Sequence, residues 1–82
     1  MLNSLYKEQI LDHYKNPRNF GRLENFDIKN REVNTLCGDE IEIQIKLNLN
    51  SVKEIKFNGR GCAISLASAS MLTEFIKDKN LE

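Results

Sequence analysis

Ile41-Glu42-Ile43-Gln44-Ile45-Lys46-Leu47-Asn48-Leu49 is the stretch whose reading decides the fold. Apolar and polar residues alternate strictly along it, the period-2 pattern of a half-buried strand. Asn48, Asn50 and Ser51 then supply turn chemistry, tolerating left-handed backbone or bonding their own main chain. Val52 to Asn58 returns with Ile55 and Phe57 on one face and Glu54, Lys56 and Asn58 on the other. The two runs read as an antiparallel hairpin. Keeping their apolar residues together predicts Ile43 beside Phe57 and Ile45 beside Ile55.

The open end of that hairpin gathers the residues with the most chemistry. Cys37 precedes the first strand and Cys62 follows the second, and the register sets them within about one residue of lying opposite each other. Asp39 is two residues from Cys37, so on a strand both face the same side. Two thiols and a carboxylate therefore converge as a candidate metal or sulfur site. The alternative for the cysteines is two small buried thiols packing like alanine. Three donors also fall short of the four that a closed structural zinc site takes. For Asp39 the alternative is an exposed strand-start carboxylate, or one bonding the turn amides after Gly38. Its parity with Ile41 and Ile43 argues the other way, because a carboxylate on an apolar face needs a partner, and a metal is one.

Helical periodicity flanks the hairpin on both sides. Leu5 to Lys15 carries Tyr6, Ile10 and Tyr14 at i, i+4 and i+8 with Leu11 beside them, and Asn3 or Ser4 stands ready as a cap. Asn16-Pro17 stops this helix, since proline drives the preceding residue towards extended geometry. Asp27 to Asn34 has the weaker pattern of a third strand. After Cys62, the stripe Ile64, Ala67, Met71 and Phe75, widened by Leu72 and Ile76, predicts a second helix with Ser65 as its N-cap. Its small residues from Ala63 to Ser70 suit a close crossing. Cys62 thus falls at a helix N-terminus, where dipole and free amides favour thiolate, and Arg60 adds a nearby cation. His13, the single histidine, reads as a packed or C-terminal capping residue of the first helix. The fold class is α+β: a helix, a small antiparallel sheet of two or three strands, then a helix packed on one face.

Composition narrows the function classes. At 82 residues the chain has room for one small domain, spanning 1–82. Twelve lysines and arginines balance 12 aspartates and glutamates, so no basic field draws it to nucleic acid or anionic lipid. No apolar run reaches membrane-spanning length and Met1-Leu2-Asn3-Ser4 is unlike a signal peptide, so the expected location is the cytoplasm. In a reducing compartment two cysteines are free thiols or ligands rather than a disulfide.

Three stretches carry a resemblance to a known family. They are Asp12-His13-Tyr14-Lys15-Asn16-Pro17-Arg18-Asn19 with Gly21, Cys37-Gly38-Asp39, and the run Gly61-Cys62-Ala63-Ile64-Ser65-Leu66-Ala67-Ser68-Ala69-Ser70-Met71-Leu72-Thr73-Glu74. In this order and spacing the chain resembles the N-terminal part of the U-type iron–sulfur cluster assembly proteins, the family of IscU, SufU and the NifU N-terminal domain. The Cys-Ala-Ile-Ser form of the third stretch is more similar to SufU than to the glycine-rich IscU version. That likeness implies iron–sulfur cluster biogenesis by a zinc-dependent sulfur acceptor or scaffold working with a cysteine desulfurase of SufS type. It implies Cys37, Asp39 and Cys62 as metal ligands, with Cys37 as the sulfur acceptor and catalytic residue. The IscU-like alternative implies iron or a transient [2Fe–2S] cluster on the same residues, and a third reading is a truncated zinc-binding or protein-interaction module without sulfur chemistry. Sulfur transfer or scaffolding is not conventional enzyme activity, so whether the chain counts as an enzyme stays open. The family's remaining ligand is a further cysteine on C-terminal helices that have no counterpart before Glu82. The resemblance therefore implies a site completed by another chain, an external ligand or a longer product, and apolar faces that a second copy of the chain would cover.

Overall fold

The computed structural model describes residues 4–36 and 38–79. Its elements run α1 (Ser4–Lys15), β1 (Ile28–Asn34), β2 (Asp39–Asn48), β3 (Ser51–Arg60) and α2 (Ala63–Ile76). The strands form a three-stranded antiparallel sheet in the order β1-β2-β3, so the weak third-strand pattern is a real strand. Ile43 pairs with Phe57 and Ile45 with Ile55, the register that the apolar faces demand. Leu49 departs from its expected place. It lies in the two-residue turn between Asn48 and Ser51 with φ 57, nearly fully exposed, because the closing Asn48–Ser51 pair leaves it no strand partner. A register shift at Lys46/Leu47 then lets Leu47 face Val52, keeping apolar residues on one side after the irregularity.

Burial concentrates around β3. Val52, Ile55 and Phe57 are buried under α2, whose own buried residues are Ala67, Ala69, Ser70 and Thr73. This corrects the expected stripe. Ile64 and Phe75 are exposed and Leu72 half so, while the small residues press on the sheet and on α1. A helix this close leaves room for alanine, serine and threonine and none for larger side chains.

The segment between α1 and β1 closes the other edge of β3. Asn19 takes φ 60, a left-handed conformation that asparagine tolerates, and turns the chain so that its carbonyl accepts the Phe57 N–H at 2.9 Å. Gly21 N–H donates back to Phe57 O at 2.8 Å, and the Phe20 and Phe57 rings meet edge to face at 5.3 Å. The corner is fastened to α2 by polar contacts. Arg18 N–H donates to Ser70 Oγ at 2.8 Å, His13 Nδ1 lies 2.7 Å from the same hydroxyl, and Asn19 Nδ2 donates to Thr73 Oγ1 at 3.2 Å. His13 is therefore a packed residue that ties α1 to α2. On the opposite face of the sheet Gln44, although drawn from the polar parity, is buried, and its Oε1 accepts Leu23 N–H at 2.7 Å.

Candidate metal and sulfur site

The hairpin and the start of α2 meet where the sheet ends. Gly59 makes that meeting possible: with φ 143 it sits so close to β2 that a Cβ there would lie 1.9 Å from the Glu40 carbonyl oxygen. Only glycine fits. Three residues on, Cys62 has extended backbone (φ −72, ψ 167) and is the N-cap of α2. Ser65, expected as the cap, is instead inside the first turn of the helix.

That displacement decides what Ser65 does. Its hydroxyl donates to Asp39 Oδ2 at 2.7 Å and stands 3.2 Å from Cys62 Sγ. The other carboxylate oxygen, Oδ1, accepts the Cys62 backbone N–H at 3.2 Å. Asp39 and Cys62 are thus brought together, as their sequence positions predict. Cys37, the third expected ligand, lies outside the described residues. Arg60 does not serve as the cation beside the thiol: its guanidinium turns to Glu40 at 3.7 Å, and Glu40 also takes Arg31 at 2.9 Å. The reason is parity, because Arg60 pairs with Glu40 on the sheet face away from Asp39.

The Ser65 hydroxyl, with the backbone amides of Ser65 and Ile64, holds the Cys62 thiol below the ordinary thiol range, against slight desolvation and the Asp39 charge. Cys62 is exposed, so its sulfur is accessible to a reactant. Asp39 is only partly exposed, and among the described residues no cationic side chain pairs with it. A carboxylate supported only by neutral donors beside an accessible sulfur fits a thiophilic divalent cation such as zinc. Sequence reasoning missed Ser65 as part of this site. The signal was available in its spacing, since a residue three after an N-cap lies above it on the same helical face.

A three-stranded antiparallel sheet with a helix laid across it, and a thiol and a carboxylate at the strand-to-helix junction, marks a class of small α+β domains. The particular family follows from comparison: residues 5–82 match the NifU-like N terminal domain, and the chain belongs to that family. It is 48% identical over 81 residues to the zinc-dependent sulfurtransferase SufU of Bacillus subtilis (strain 168), covering 99% of this chain and 54% of that protein. It is 41% identical over 78 residues to the iron–sulfur cluster assembly scaffold protein IscU 1 of Archaeoglobus fulgidus, covering 95% of this chain and 51% of that one. The fold matches, with a TM-score of 0.84 and 34% identity, a crystal structure from Fervidobacterium islandicum AW-1 described as an iron–sulfur cluster assembly scaffold for the SUF system; the match covers 93% of this chain and 56% of that one. The chain spans about half the length of these relatives. No helix among the described residues is long and apolar enough to cross a membrane.

Proposed function

We propose that this chain serves iron–sulfur cluster biogenesis in the cytoplasm as a zinc-dependent sulfur acceptor that works with a cysteine desulfurase. The observation that carries the reading is the Asp39 carboxylate and the Cys62 sulfur held on one Ser65 hydroxyl, two residues of chain from Cys37. Cys37, Asp39 and Cys62 would hold the metal. Zinc, when bound, would keep its cysteine ligands as thiolates and yield one of them when another donor takes its place. The chemistry of the chain itself is thiolate attack. Cys37 thiolate attacks the outer sulfur of the desulfurase persulfide, the persulfide S–S bond breaks, and the desulfurase cysteine leaves as thiolate. Cys37 then carries the persulfide. The similarity to a relative named as a zinc-dependent sulfurtransferase supports this reading.

Metal analysis and desulfurase turnover test it. The purified chain should hold zinc near one per molecule, falling sharply in Cys37→Ser and Cys62→Ser, and Asp39→Ala should slow release of the transferred sulfur. A wild-type chain that binds no zinc at neutral pH while both thiols are freely alkylated overturns the proposal. The second reading, a [2Fe–2S] cluster on the same residues, is supported by the IscU relatives. Anaerobic incubation with iron and sulfide distinguishes it by the visible absorption of a bound cluster. A second copy of the chain is the proposed cover for Ile28, Ile64 and Phe75, whose side chains stand open on the described surface. Sedimentation should then report a dimer, and a monomer at all concentrations removes that part.

A further inference from the structure

We infer that Ser65 is a positioning residue of this site: its hydroxyl fixes the orientation of the Asp39 carboxylate and holds the Cys62 sulfur beside it, so that both face one metal ion. The inference rests on reading the site as a divalent-metal centre. A serine hydroxyl has a single proton, and Asp39 Oδ2, a charged acceptor at 2.7 Å, is its nearer partner. The Cys62 sulfur, 3.2 Å from the same hydroxyl oxygen, is as thiolate the second acceptor of that proton. One atom thus sets the places of both donors.

The atom itself is well anchored. Ser65 belongs to α2, which is held by the buried Ala67, Ser70 and Thr73, so its hydroxyl is referred to the packed part of the molecule rather than to a loop. Asp39 is confined from the other directions as well. Cys62 N–H reaches Oδ1 at 3.2 Å, and a Cβ at Gly61 would stand only 2.7 Å from the same oxygen. Of these two hydrogen bonds to the carboxylate, the one from the Ser65 hydroxyl is the shorter. Each carboxylate oxygen keeps a lone pair for a cation, because each accepts a single hydrogen bond among the described residues. Hydrogen bonds of this outer kind orient ligating carboxylates and carry a substantial share of metal affinity.

The test compares wild type with Ser65→Ala, Ser65→Thr and Ser68→Ala, the last an exposed serine on the same helix. Zinc affinity is read by competition with a chromophoric chelator, and site geometry by the thiolate-to-metal and d–d absorption of the cobalt(II) form. Ser65→Ala should weaken zinc binding about 10–100-fold and alter the cobalt spectrum. Ser65→Thr, which restores a hydroxyl, should recover both, and Ser68→Ala should change neither. Alanine is the better helix former, so loss of helix is not the expected route to that weakening. Should Ser65→Ala fail to fold, Gly61→Ala reports on the same carboxylate, and the same loss with an altered cobalt spectrum is expected. An unchanged affinity and spectrum in Ser65→Ala, or a loss that threonine does not repair, overturns the inference alone. A wild-type chain that takes up neither zinc nor cobalt overturns it together with the proposed function.

Discussion

The β3–α2 side of the molecule and the β1 side are built on different terms. On the first, Val52, Ile55, Phe57, Ala67, Ser70 and Thr73 are all essentially inaccessible, and the turn through Asn19 is bonded into them. On the second, every residue of β1 is exposed, and the isoleucines of β2 are only partly covered. The candidate site sits between the two. Its carboxylate comes from the start of the half-covered strand, and its sulfur and hydroxyl come from the first turn of the packed helix. One donor is thus backed by rigid packing and the other by a strand end. A site meant to exchange a ligand gains from that asymmetry, because one partner can yield while the other keeps the geometry.

The comparison breaks first at Phe57. Phe57→Ala should remove about 3–5 kcal/mol of stability, enough to unfold much of a small domain, whereas Val33→Ala on β1 should fall within about 0.5 kcal/mol. Urea denaturation followed by circular dichroism reads both, and equal losses would mean that the two sides share one core.

Ser70→Ala tests the polar fastening rather than the apolar one. It leaves the Arg18 N–H and His13 without their shared hydroxyl, and the same titration should show a loss of about 1–3 kcal/mol. A neutral result would mean that water replaces the hydroxyl and that the corner holds without it.

How much of this was legible beforehand divides along the same line. The period-2 runs dictated β2, β3 and their register, because a one-residue slip would turn Ile43 and Phe57 to opposite faces. The meeting of Asp39 and Cys62 followed from that register. The face of α2 did not. Periodicity marks large apolar residues as inward, yet the close approach of α2 selected Ala67, Ser70 and Thr73 and left Ile64 and Phe75 outside. Leu49 misled for a related reason, since alternation continues through a residue that the turn removes from the ladder. Buried hydroxyls such as Ser70 declare themselves only once their partners, 52 and 57 residues away in sequence, are in place.

A smaller effect sharpens the picture at the site. The Cys62 thiol is held below the ordinary range chiefly by the Ser65 hydroxyl, so its thiolate persists to lower pH than that of a free cysteine. In metal-free Cys37→Ser protein, the rate of iodoacetamide alkylation should rise with pH at a midpoint below that of glutathione. Ser65→Ala should move that midpoint upward. A midpoint at or above that of glutathione would show that the hydroxyl does not support the thiolate.

The smallest effect is expected at Asp12, whose carboxyl Arg18 holds below the usual range at an exposed position. A lowered carboxyl pKa stabilises the fold above the unfolded-state value, and this contribution fades as pH falls through the folded-state one. Wild type and Asp12→Asn should therefore differ slightly in denaturation midpoint at neutral pH and converge in acid. A gap that widens on acidification would reverse the sign and refute the pairing.

The outer edge of β1 has a further consequence, because β3 is shielded by Phe20 and Gly21 while β1 has no strand beyond it in the described sheet. Such an edge is a template for stray strands, and here it carries Lys29, Arg31 and Glu32 along its seven residues. A stray apolar strand would have to desolvate those charges in order to pair. The protection is electrostatic rather than steric, and therefore conditional: it lasts as long as those side chains stay charged and hydrated.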